Sequence, residues 1–137
     1  MTVTFLTTIP LGILIAFNYK EYGFLKIKDD KFLTLVGSIG AIFNGLGRLF
    51  MGVLFDKLPF RIISTIINLT FIVCSFIIPF VYNKYIYMAL VLLVYFAYGG
   101  CYSVYPSHTV RTIGSKLGSR YYFVVFTGNT LGTYSLF

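Results

Sequence analysis

FLTLVGSIGAIFNGLGRLFMGVLFDKLPFR, residues 32–61, decides the fold. From Phe32 to Phe55 it holds 24 mostly apolar or small residues and a single charge, Arg48. About 20 such residues are enough for a helix to cross a bilayer. The run then breaks into Asp56-Lys57-Leu58-Pro59-Phe60-Arg61, a tight charged turn with a proline placed to start the next helix. Outward from this stretch the pattern repeats. Further apolar runs cover about residues 1–18, 62–82, 85–105 and 121–137. The first lacks the basic start and the small-residue cleavage site of a signal peptide, so it reads as a span. Asn83-Lys84 is a two-residue hairpin, whereas Tyr19–Lys31 and Pro106–Arg120 are longer mixed connections. The expected fold is an all-α, polytopic membrane helix bundle of about five transmembrane helices, within one partial transmembrane domain.

Composition supports the same solvent. Of the 137 residues, 58% are hydrophobic and only 11% charged, too few charges to cover a soluble fold of this length. The lipid bilayer is the first partner implied, and the chain reads as an integral, multi-pass membrane protein. The net charge of +7 would suggest nucleic acid on a soluble protein. Here the cations lie mainly between apolar runs, where they meet headgroups or fix topology, so no nucleic-acid partner is expected. Cys74 and Cys101 lie within apolar runs with no partner cysteine nearby, and His108 is the only histidine, so no metal and no cofactor are expected. Neither a nucleophile–base pair nor paired carboxylates occur in the runs, which argues against an enzyme.

Arg48 stands eight residues before Asp56, about 12 Å along a helix and close to the bilayer middle. A charge there costs at least ~2.5–3.5 kcal/mol and faces a bundle interior or a watery cavity. Gly40, Asn44, Arg48 and Gly52 recur every four residues, and Gly37, Ala41 and Gly45 form an adjacent stripe. Together they make one small, polar helix face. Asn44, one turn away, is placed to orient the guanidinium. Two readings stay open for Arg48. One is an anion-binding arginine in a translocation cavity, since its fork suits a carboxylate. The other is a structural arginine bonded to backbone carbonyls or snorkelling to one side.

The turn carries a resemblance. Gly52, Leu54, Asp56, Lys57 and Arg61 match the loop signature G-x-L-x-D-R/K-x-G-R-R of the major facilitator superfamily, with departures at Pro59 and Phe60. Tyr19–Gly23, Val36–Gly40, Asn44–Arg48 and Gly99–Pro106 resemble the C-terminal half of monocarboxylate and oxalate/formate antiporter-type carriers. The resemblance implies that the five runs correspond to helices seven to eleven of a twelve-helix transporter working by alternating access. Arg48 then falls where that branch binds a substrate carboxylate. Where proton-coupled relatives carry an acid, this chain has Asn44. No second cation stands in 121–137, so a monoanion suits the site better than a dianion. Lys and Arg counts tie at five on each side of the membrane. The resemblance puts Asp56–Arg61 and Pro106–Arg120 in the cytosol, with Asp56 facing the positive end of a neighbouring helix.

The implied function is transport of a small organic anion, as a fragment or half of a secondary carrier. It requires a missing N-terminal six-helix half or a partner chain. The alternative is a non-transporting, truncated helix bundle that binds a partner membrane protein. Tyr95, Tyr98, Tyr102 and Tyr105 form an aromatic stripe; Tyr98, Tyr102 and Ser103 are the candidate cavity lining, and helix packing is the plainer role for such aromatics. Thr127, Asn129 and Thr130 serve packing as readily as a site. The sequon at Asn68 is mid-span, and His108 reads as a solvated loop residue.

Overall fold

The computed structural model describes residues 2–114, 117–118, 120–124 and 126–127, with side chains from Gly12 onward except at Leu14 and Phe17. The chain is all-α. Helix α1 is Thr2–Ile27, α2 is Asp30–Lys57, α3 is Phe60–Ile77 followed by a 3₁₀ turn Ile78–Phe80, and α4 is Lys84–Ile113. Among the described residues three helical segments, Asp30–Lys57, Phe60–Phe80 and Lys84–Ile113, are long and apolar enough to cross a membrane. The expected fifth span, 121–137, lies largely outside the described residues.

Successive helices alternate in direction, so α2 and α4 run parallel. Helix α4 is central and packs against the other three. Its inward residues Tyr87, Val91, Val94, Ala97, Cys101 and Val104 recur every three or four positions, the spacing of one helix face. Ile63, Ile67, Phe71 and Cys74 of α3 and Leu33, Val36, Met51 and Phe55 of α2 complete the core. Outside, α3 exposes Ile62, Ile66, Leu69, Ile72 and Phe76, a face that only lipid or another helix would cover at low cost.

The closest contact joins α2 to α4. A Cβ on Gly47 would overlap the Phe96 carbonyl, and one on Gly99 would overlap the Asn44 carbonyl. The two backbones therefore touch directly, as small residues permit in membranes. Asn44 Nδ2 spans the same crossing and donates to the Tyr95 carbonyl at 3.4 Å.

Two boundaries differ from the sequence reading. Helix α1 does not stop near Asn18 but continues to Ile27. The added turns are held from outside the helix. The Tyr19 hydroxyl donates to the Leu33 carbonyl at 3.5 Å, Tyr87 donates to the Tyr19 carbonyl at 2.5 Å, and Lys20 pairs with Asp30 at 2.9 Å. A left-handed Lys28 (φ 52°) then ends it, and Asp29 caps α2 by accepting from the Phe32 N–H at 3.1 Å. Helix α4 likewise runs through Pro106 to Ile113. Proline cannot donate to the Tyr102 carbonyl, yet the helix runs on through it. Beyond it the Ser107, Thr109 and Thr112 hydroxyls donate to the carbonyls four residues back at 2.7–2.9 Å. Gly114, at φ 92°, ends it.

We predict that Gly47→Leu lowers stability by at least about 2 kcal/mol, because the backbone it strikes cannot yield. Gly45→Leu, where a Cβ meets nothing within 4 Å among the described residues, causes no loss. Thermal unfolding in detergent micelles measures both.

Candidate functional site

Helix α2 presents three faces. Leu33, Val36, Gly40, Gly47 and Met51 turn inward to α4. Ile42, Leu46, Leu49, Phe50 and Val53 form an exposed, bulky apolar face. Between them runs an exposed rim of small or polar residues, Thr34, Ser38, Ala41, Gly45 and Arg48, spaced four and three apart. The face expected to be single is therefore split. Gly40 and Asn44 belong to the packing, whereas Ala41, Gly45 and Arg48 are uncovered.

Arg48 lies nine residues before Lys57, roughly 14 Å from the helix end. Its guanidinium carbon sits 5.3 Å from the centre of the Tyr102 ring. Tyr102 meets Tyr98 edge to face with centroids 5.0 Å apart, and their hydroxyls bond at 2.6 Å. Phe126 meets the Tyr102 ring edge to face with centroids 6.2 Å apart. Ser103 stands nearby, facing Gly52, where an added Cβ would lie 2.9 Å from its hydroxyl. The guanidinium has no carboxylate partner and no hydrogen bond among the described residues. A cation–π contact contributes ~0.5–2 kcal/mol, less than the ~2.5–3.5 kcal/mol or more that a mid-membrane charge costs. The aromatic shelf orients Arg48 without satisfying it. Its free N–H edges suit a carboxylate, a phosphate or water.

The expected link from Asn44 to Arg48 is not made. Asn44 faces the Gly99 backbone, so its amide goes to Tyr95. The tyrosine stripe also divides. Tyr95 donates to the Ala16 carbonyl at 3.0 Å, and Tyr105 is buried against Ser64 at 3.4 Å. Only Tyr98 and Tyr102 stand beside Arg48. The Thr127 hydroxyl donates to the Phe123 carbonyl at 2.9 Å within its own helix, and Asn129 and Thr130 lie outside the described residues.

The signature residues cluster at one end of the bundle. Leu54 is half-buried, while Lys57 and Arg61 are exposed. Asp56 pairs with Arg111 of α4, whose guanidinium also lies 4.6 Å from the Phe55 ring. Because α2 and α4 are parallel, both last turns, and both negative dipole ends, lie together; Arg111 offsets them along with the carboxylate. His108 is not a loop residue. It sits in α4 with its ring flat on Phe60, 3.8 Å apart and 5° from parallel. The sequence reading missed Arg111 and His108 because it ended the helix at Pro106.

Compared with known protein families, curated proteins and solved structures, the chain matches none.

A double-mutant cycle of Asp56→Asn and Arg111→Gln should give a coupling of about 1 kcal/mol or less, since both side chains are more than half exposed (64% and 56%). Unfolding in detergent at low salt reads the coupling, and added salt should reduce it.

Proposed function

We propose that the chain is part of a multi-pass carrier for a small organic monoanion, with Arg48 as the anion-binding residue. One observation carries this reading. The mid-helix guanidinium lies on the uncovered rim of the bundle, aimed by Tyr102 and without a counter-charge among the described residues. A charge so placed calls for a polar environment from beyond this bundle: a watery cavity, an anion, or both. A cavity between this bundle and a second half, or a partner chain, supplies that environment near the midplane, where secondary carriers bind their substrates. The likeness of Gly52, Leu54, Asp56, Lys57 and Arg61 to the major facilitator loop supports the same reading, with that end in the cytosol.

The uncovered small residues favour a second reading. Among the described residues nothing lies within 4 Å of a Cβ placed on Gly45, and Ala41 is exposed beside it, so the rim also suits close docking of a helix from a partner membrane protein.

Two experiments separate these readings. With the complete carrier in vesicles, uptake of labelled lactate, formate or oxalate should fall at least about tenfold in Arg48→Gln, with Arg48→Lys intermediate. Unchanged uptake in Arg48→Gln would sink the transport mechanism. Cysteine placed at Gly45 should react with a membrane-impermeant thiol reagent, and cysteine at Phe50 should not. If neither reacts, the rim is dry and the docking reading gains.

A further inference from the structure

At the end of the bundle where α3 begins, a cleft of about 640 Å³ opens between α3 and α4. This is well within the range of ligand sites, ~300–1,000 Å³. Phe60, Arg61, Ser64, Thr65, Asn68 and His108 line it together with Pro59, and none of these is acidic. Asp56, the closest acid in sequence, is engaged by Arg111. Neither the Arg61 guanidinium nor the His108 ring nitrogens has a hydrogen-bond or ion-pair partner among the described residues. Stacking on Phe60 fixes the plane of the imidazole and leaves its nitrogen edges free.

The backbone adds to this. Pro59 caps α3 without any side-chain hydrogen bond, and the Ile62 N–H is taken by the Pro59 carbonyl at 3.0 Å, so the positive dipole end of an 18-residue helix lies at the cleft with no capping side chain. From Arg61 to Asn68 is seven residues, roughly 10 Å along the helix. The polar lining thus runs from the headgroup level into the apolar layer. Ile62 and Ile66 are exposed on the adjoining face of α3, where an acyl chain would lie.

We propose that this cleft binds a phosphate group, presented by an anionic phospholipid of the surrounding leaflet. Arg61 takes the phosphate oxygens at the positive end of α3, and His108 donates from the side. Basic pockets between membrane helices recognise such headgroups by charge and hydrogen bonding. The site is separate from Arg48 and does not depend on transport.

The test uses the full chain in detergent with an equal mixture of phosphatidylserine and phosphatidylcholine, read by native mass spectrometry. One phosphatidylserine should be retained, favoured over phosphatidylcholine by roughly tenfold. Arg61→Gln should lower that preference about fivefold, the effect of one cation near the surface. His108→Phe, which preserves the stack, should lower it as well. Arg120→Gln, exposed and outside the cleft, should not. An equal loss in Arg120→Gln would show a diffuse charge effect and overturn the site. Absence of any preference would overturn it too. Displacement by millimolar inorganic phosphate would overturn the lipid source, because a free anion would then be the natural occupant.

Discussion

Two backbone carbonyls, of Asn44 and Phe96, lie against two glycines, Gly99 and Gly47. In lipid, helices gain little from burying apolar side chains against one another, because the alternative is an equally apolar solvent. Dense contact and hydrogen bonds must hold them instead. The paired glycines allow both at one point, and the Asn44 amide fixes the register there. The rest of α2 follows from that. Arg48, one residue beyond Gly47, is carried to the rim and onto Tyr102. Asp56, two turns on, is carried to the height of Arg111. Met51 lies against Gly100, where a Cβ would come within 2.6 Å of it.

The parts of this arrangement legible in sequence were those that composition alone determines. Long apolar runs, short turns and a stripe of small residues around a lone charge needed no partner to be recognised. Boundaries were read less well, for two physical reasons. The last turns of α1 are held by Tyr19, Lys20 and Tyr87 through groups distant in sequence, and local polarity gave no sign of them. At Pro106 the helix continues although the proline cannot donate to the Tyr102 carbonyl, whereas proline alone reads as a stop. That single boundary hid His108 and Arg111 together. Asn44 was misjudged differently. Its spacing from Arg48 is right for a bond, but the side chain lies on the inward side of the boundary between packing and rim.

Cations at both ends of the bundle are held by rings and carboxylates. Around Asn83, lysines rest on aromatic rings, with Lys26 over Tyr22 and Tyr82 at 5.4 and 4.8 Å, and Lys84 over Phe32 at 5.6 Å. Such pairs suit a membrane interface, where long side chains can bridge ring and headgroup. Lys20 at the same end pairs with Asp30 at 2.9 Å. Around Pro59, Arg111 likewise combines a carboxylate, Asp56, with a ring, Phe55, while Arg61 lines a cleft.

Gly47 and Arg48 are consecutive, so a fixed rotation of about 100° separates the packing contact from the rim. The site inherits its phase from the crossing. Substitutions on the bulky apolar face leave that phase alone as long as they stay lipid-compatible. A one-residue insertion between Asn44 and Arg48 would not. It would turn the guanidinium a quarter-turn around the helix axis while changing no side chain in the shelf. Frame along the helix, as much as the identity of residue 48, is therefore what this sequence encodes.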